Sequence, residues 1–317
     1  MHKKILILTL IVIIIGASIG LYFLIQNIIY LRRIEFELGD MVIDDFAYWL
    51  DEPNKDEIRE SKYDLIIIDY SSDGSEDGEF SSRNVKYMKS SGDKEKLLIS
   101  YISIGEAEDY RFYWDESWDI DKDGIPDTGS PNWLDEENPE WDGNYKVKFW
   151  IDSWKEIIFD YLDKIISAKF DGIYMDLIDA YEYYKDDVPD SDELMVDFVG
   201  EISDYVKDEQ GENFIVFVQN GEDLLKDSTY LDYIDGIGRE DLFYNDDDET
   251  DEEDREDGVN NLNKVLENNK AVLIIDYPTS EEKKYNFYKL CINNGFLPYA
   301  AERDLNGLLE YWYYPST

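Results

Sequence analysis

The stretch FDGIYMDLIDAYEYY, residues 170–184, starts as a buried strand and runs into charge. Phe170 to Met175 is the apolar run; Asp176 closes it and Asp179 follows three residues on. A carboxylate at the end of a buried strand needs compensation, because an unpartnered charge taken out of water is strongly unfavourable. The stretch has an echo at 234–240, IDGIGRE: in both DGIYMD and DGIGRE a carboxylate stands four residues after a glycine. Side chains alternate along a strand, so Gly172, Tyr174 and Asp176 share one face, as do Gly236, Gly238 and Glu240.

Six further runs of this kind lie around these two: FAYWL (46–50), YDLIIIDY (63–70), KLLISYISIG (96–105), FIVFVQNGE (214–222), AVLIIDY (271–277) and GFLPYAAE (295–302). Helical patterns fall between them, at 56–62, 153–169, 192–210, 259–269 and 281–294. Apolar strands with little alternation, separated by amphipathic helices, indicate parallel βαβ units covered on both faces. Eight units over residues 42–317 predict a (β/α)8 TIM barrel, with an open doubly wound sheet as the alternative. The long segment 106–148 then becomes an insertion at the barrel mouth, carrying Trp114, Trp118, Trp133 and Trp141.

In such a barrel the C-terminal ends of the strands carry the chemistry. Those ends supply Asp69 and Tyr70, Tyr101, Glu106 and Glu108, Asp176 with Asp179 and Tyr181, Asn220 and Glu222, Glu240, and Asp276 with Tyr277. No predicted strand ends in lysine, which argues against Schiff-base chemistry. Asp176 and Glu240 close the fourth and sixth strands, and alternate strands fill one layer of a barrel, so the two carboxylates should face each other. Paired acids raise one another's pKa and share a proton. One acid to protonate a leaving oxygen and one to attack or to activate water is the requirement for glycosidic cleavage. The plainer reading is that both acids hold neighbouring donors. Asp69, Tyr70, Tyr101, Glu106, Asp179, Tyr181, Asn220, Glu222, Asp276 and Tyr277 are the candidate substrate contacts. Trp49, Tyr101, Tyr110, Tyr113, Tyr181 and Tyr244 are aromatic candidates for stacking on sugar faces.

Scarcity narrows the chemistry further. The chain holds one histidine, His2, and one cysteine, Cys291. A Ser-His-Asp triad, a Cys-His pair, a histidine-ligated zinc and a disulfide framework are all excluded within one chain. A formal net charge of -45 repels phosphate backbones, so nucleic acid is not an expected partner. DIDKDGIPD (119–127) spaces Asp119, Asp121, Asp123 and Asp127 like a calcium loop, but Ser130 stands where a bidentate Glu belongs; a structural calcium there is the one cofactor candidate. DDDETDEEDRED (246–257) reads as a solvated loop. After a short basic N-terminus (1–4), residues 5–30 contain no charge and span roughly 39 Å as a helix, more than a bilayer core requires. They are expected to form an uncleaved single-pass membrane anchor, followed by a linker (31–41), with the barrel on the extracytoplasmic side.

FAYWLDEPN, YDLIIIDYSSDG, LLISYISIGEAEDYRFYW, FDGIYMDLIDAYEYY, VQNGEDLL, GIGREDLFYN and IIDYPTS, in this order, resemble family 114 of the glycoside hydrolases, the endo-α-1,4-polygalactosaminidases and their relatives. The resemblance covers nearly all of residues 44–304. It implies a (β/α)8 barrel that hydrolyses α-1,4-linked galactosamine polymers by a retaining two-carboxylate mechanism, with Asp176 as nucleophile and Glu240 as acid/base. An acidic groove suits such an amino-sugar polysaccharide. Two other readings compete: a non-catalytic carbohydrate-binding barrel, and a metal-dependent hydrolase using Asp69, Glu106, Asp176 and Glu222.

Overall fold

The computed structural model describes residues 34–91 and 94–309. The expected anchor, residues 5–30, and the basic residues ahead of it lie outside the described residues. Among those described, no helix is long and apolar enough to cross a membrane. A boundary falls between Ile34 and Glu35, and the unit that begins at Glu35 is described here. It opens with an antiparallel hairpin, Phe36–Leu38 paired with Met41–Ile43, across the junction between the expected linker and the barrel.

Eight parallel strands follow: β1 (Phe46–Trp49), β2 (Leu65–Asp69), β3 (Leu97–Ser103), β4 (Gly172–Asp176), β5 (Ile215–Gln219), β6 (Gly236–Glu240), β7 (Ala271–Asp276) and β8 (Leu297–Ala300). Their order in the sheet follows the chain without a reversal. A doubly wound sheet reverses at its switch point, so that alternative falls away. The last strand comes back to the first. The Phe46 ring of β1 lies 5.7 Å from the Tyr299 ring of β8, and the N–H groups of Leu50 and Asp51 both donate to the Leu305 carbonyl. The result is a nearly closed (β/α)8 barrel.

Burial on both faces explains why β2 reads LIIID with no alternation: Leu65, Ile66, Ile67 and Ile68 are wholly buried. The outer layer consists of α1 (Lys55–Glu60), α2 (Ser82–Lys89), α3 (Asp152–Ala168), α4 (Ser191–Gln210), α5 (Tyr230–Tyr233), α6 (Glu252–Glu267) and α7 (Glu281–Asn294). Helix α3 turns Trp154, Ile158, Tyr161, Leu162 and Ile165 inward, the three-to-four spacing of an amphipathic face. Each large apolar side chain so buried contributes about 1.5–3 kcal/mol, which fixes the helix on the sheet.

The acid-rich run 246–257 is not one solvated loop. Its second half opens α6: Asp251 caps the helix by accepting from the Glu253 N–H at 2.9 Å, and Glu252, Glu253 and Asp254 occupy the first turn. Negative charge is favoured there by the helix dipole. The insertion after β3 has a small sheet of its own, with Asn144–Val147 between Glu106–Glu108 and Leu134–Glu137. Trp114, Trp118 and Trp133 form a chain of rings, spaced 5.1 and 5.2 Å, that ends on Trp154 of α3. These tryptophans are the core of the insertion, whereas Trp141, at the tip of a turn, is 60% exposed.

Candidate active site

Three even-numbered strands share one construction. Asp64, Asp171 and Asp235 each precede such a strand and accept a backbone N–H from the preceding odd one or its entry: Asp44 at 3.1 Å, Leu98 at 2.9 Å and Val216 at 2.9 Å. Five residues later the strands end in Asp69, Asp176 and Glu240. The first carboxylate ties neighbouring strands together at the bottom of the barrel, and the second arrives at its mouth.

The glycine that follows the second DGI, Gly238, sets the level of the pair. A Cβ on Gly238 would fall 1.8 Å from the Tyr174 hydroxyl, so the tyrosine of β4 fills the space that β6 leaves. Asp176 and Glu240 each lie two residues beyond that contact on the same faces, which puts them across from one another. Asp176 accepts from the Tyr101 hydroxyl at 2.8 Å and from the Leu177 N–H at 2.7 Å. Glu240 accepts from the Gln219 amide at 2.5 Å and from the Tyr277 hydroxyl. Gln219 is itself oriented by Tyr48, whose hydroxyl donates to its Oε1 at 3.0 Å, turning the NH2 toward Glu240. Leu177, Asn220 and Asp241, the residues directly after β4, β5 and β6, all adopt positive φ (57°, 59° and 54°). Such backbone is held in place only by its surroundings and concentrates at functional sites.

The two carboxyls have different electrostatic surroundings. Burial, and behind it the charge of Glu240, pushes Asp176 up to about 8. Burial also raises Glu240, while the Tyr277 hydrogen bond and the guanidiniums of Arg303 and Arg239 hold it back against Asp241. The cations stand on the Glu240 side and oppose the rise of its carboxyl, whereas burial and the Glu240 charge both raise Asp176. Burial likewise raises the Tyr48, Tyr101 and Tyr277 phenols, which therefore remain O–H donors.

The pair stands in a cleft of about 640 Å³. Its wall carries nine carboxylic acids against two guanidiniums, Arg111 and Arg303. Arg111 is fully engaged: it pairs with Asp69 at 2.7 Å and with Glu108 at 2.5 Å and lies against the Tyr110 ring. Glu106 accepts from Asn138 at 2.9 Å and Tyr183 at 3.0 Å, both neutral. Burial raises its carboxyl.

Of the expected contacts, Asp69, Tyr101, Glu106, Asn220 and Tyr277 line this cleft together with the pair. Tyr70, Asp179, Tyr181, Glu222 and Asp276 are not among its lining. Strand alternation explains two of these: with Asp69 and Tyr277 turned inward, Tyr70 and Asp276 must turn outward. Tyr70 packs on Tyr161 at 4.7 Å, and Asp276, fully buried, accepts the N–H groups of Leu242, Phe243 and Tyr244 at 2.9 Å each. Asp179, Tyr181 and Glu222 fall on 3-10 turns, Ile178–Tyr184 and Glu222–Lys226, that re-aim the chain. Tyr181 is buried there, and Glu222 pairs with Arg239 at 2.7 Å. The four-acid metal set therefore does not converge, since Asp69 and Glu222 each face an arginine. Of the aromatic candidates, Tyr101 and Tyr110 reach the cleft.

In the loop 119–127, oxygens of Asp119, Asp121 and Asp127 lie within 4.8 Å of one another. Asp123 is turned to the Ile125 N–H instead. Asp119 accepts from the Gly124 N–H and the Tyr145 hydroxyl, and Ser130 caps the Asp127 and Trp118 carbonyls. The turn is closed by its own hydrogen bonds.

Sequence reasoning missed Tyr48, Gln219, Trp141 and Arg303, all of which line the cleft. Alternation gave a usable signal for Gln219: with Phe217 packed against Tyr174, position 219 turns the same way. Arg303 lies past the last strand, in a loop with no period to read.

The family model for glycoside-hydrolase family GH114 matches residues 39–316. An uncharacterised protein of Methanocaldococcus jannaschii is 41% identical over 282 residues, covering 84% of this chain and 78% of that one. Another, of Thermotoga maritima, is 37% identical over 278 residues, covering 84% and 82%. Among solved structures, the glycoside hydrolase domain of PelA from Pseudomonas aeruginosa superposes with a TM-score of 0.61 at 15% identity, covering 84% of this chain and 97% of that one. Aspergillus fumigatus Ega3 in complex with galactosamine gives 0.61 at 16% identity, covering 84% and 94%.

Proposed function

This chain belongs to glycoside-hydrolase family GH114, and from that premise we propose that it cleaves α-1,4-linked galactosamine polymers within the chain, with Asp176 as nucleophile and Glu240 as acid/base. The observation that carries the reading is the pair itself: two carboxyls at one level of a barrel mouth, each held by a phenol, in an acidic cleft. In the first step Asp176 attacks the anomeric carbon while the C1–O bond breaks and Glu240 gives its proton to the leaving oxygen. A glycosyl ester on Asp176 results. In the second step Glu240, now ionised, takes a proton from water as the oxygen attacks C1 and frees Asp176. The chemistry needs no cofactor.

This sequence requires Asp176 ionised, a form that burial and the Glu240 charge disfavour, and Glu240 protonated. A substrate that carries an ammonium next to its anomeric carbon supplies the missing charge. A cation beside Asp176 favours its ionised form, and the proton moves to Glu240. The acid excess of the wall supports a cationic sugar, and Ega3 is recorded with galactosamine. Trp141, exposed on the same wall, offers a flat face for a further sugar ring. We also propose that residues 5–30 anchor the barrel to the cell membrane on its extracytoplasmic side, on the strength of their 26 uncharged residues.

The test is digestion of a panel of polysaccharides, cationic and neutral, with sizing of the products. Rapid shortening of galactosamine polymers is expected. Sugar binding without shortening of any polymer would leave only the binding-protein reading.

A further inference from the structure

We infer that Arg303, in the loop after β8, is a positioning residue for Glu240: it pins the segment that follows Glu240 and stands over the tyrosine that hydrogen-bonds it. The inference rests on the reading of Asp176 and Glu240 as the reacting pair. Arg303 forks onto Asp241, Nη1 to Oδ2 at 3.1 Å and Nη2 to Oδ1 at 3.0 Å. The same guanidinium reaches Asp246 at 3.1 Å and Asn245 at 3.1 Å. One side chain thus bridges both ends of the loop 241–246, whose first residue has a φ of 54°. Its Cζ lies 3.8 Å from the centroid of the Tyr277 ring, and Tyr277 donates to Glu240.

An isolated surface ion pair is worth little, and the Arg303 side chain is 40% exposed. Here, however, four acceptors and a ring face are held at once by a rigid fork, which is the arrangement in which arginine differs from lysine. A cation over the ring face also strengthens the phenol as a donor, because the ring's electron density is drawn toward the guanidinium.

Every element packed around Glu240 contributes to its field. From β4 comes Asp176, from β5 the neutral Gln219 backed by Tyr48 of β1, from β6 and the residue after it Arg239 and Asp241, and from the residue after β7 Tyr277. Arg239 is offset by Glu222 at 2.7 Å. Among the described residues Arg303 is the cation that pairs with Asp241 and faces Tyr277, so its loss removes a cation and bares an anion together. Both changes favour the protonated pair, so both proton losses of the coupled pair move to higher pH.

The experiment compares Arg303→Gln and Arg303→Lys with the parent, as full chains, by the pH profile of kcat/KM on the galactosamine polymer. Arg303→Gln is expected to move both limbs upward by about 0.5–1 pH unit and to lower kcat roughly tenfold with KM within about twofold. Arg303→Lys retains the charge and is expected to return both limbs to the parent's position while recovering only part of kcat. Limbs that stay in place in Arg303→Gln, with activity lowered equally at all pH, would make the residue merely structural and overturn the inference. If the parent cuts no polymer, the reading of the pair fails and the charge effect is followed without turnover, by NMR titration of the 13C-labelled Glu240 carboxyl. An upward shift in Arg303→Gln then supports the positioning role, and an unmoved titration overturns it.

Discussion

Asp176 and Glu240 differ in what surrounds them: a phenol and a backbone N–H at the first, an amide, a phenol and two guanidiniums at the second. Asp176→Asn and Glu240→Gln keep shape and remove the reacting oxygen's charge or proton; each is expected to lower polymer cleavage by about 10²–10⁴-fold or more, with the far-ultraviolet circular dichroism unchanged. Substrates with an activated leaving group need little protonation and should recover activity in Glu240→Gln but not in Asp176→Asn; equal recovery would remove the assignment of roles. A stability effect follows from the same surroundings. Burial, and behind it the charge of Glu240, pushes the Asp176 carboxyl up to about 8, far above the ordinary carboxylate range, so its neutral form is the one the fold favours. That favour is full below pH 4 and is lost as pH rises toward 8, because the unfolded chain releases its proton first. Asp176→Asn never ionises; its stability relative to the parent should therefore grow between pH 4 and 8, by on the order of 1 kcal/mol or more after allowance for water at the cleft floor. Thermal melts across this range read it, and a constant difference would refute it. At this scale Asp176, Glu240, Asp69 and Tyr277, all legible as strand ends, line one cleft, whereas Tyr70 and Asp276 sit beside inward-facing neighbours and cannot share their face.

The strands were readable because burial on both faces leaves an unbroken apolar run, and all eight stand within a few residues of where the pattern puts them. The small sheet of the insertion was not, because its strands read EAE, LDEE and NYKV, with too few apolar residues to register. Nor were the 3-10 turns after β4 and β5 legible; their short i,i+3 pattern leaves no stripe, and they are what carry Asp179 and Glu222 away from the cleft. The echo between β4 and β6 has a mechanical basis that also extends to β2: an aspartate at the start holds the neighbouring strand, and an acid at the end reaches the mouth. Gly238 is the tightest fit in this scheme. Gly238→Ala should displace Tyr174, cost about 1–3 kcal/mol in denaturant unfolding and lower activity by tilting the pair. A variant as stable and active as the parent would show that the two strands are not keyed in this way.

For the whole molecule, the boundary at Glu35 and the nearly closed ring of strands imply that the barrel carries its own core. Residues 35–317 expressed alone should be soluble and give the circular dichroism of a mixed α/β protein; an aggregated product would show that the barrel depends on what precedes it. The most direct measurement for the account as a whole is intact-protein and peptide mass spectrometry of Glu240→Gln incubated with an α-galactosaminyl fluoride. Fluoride leaves with little protonation and the missing base stalls the second step, so one sugar should accumulate on the protein, on the peptide that contains Asp176. Consumption of the fluoride with no adduct, or an adduct on another residue, would contradict a double displacement through Asp176.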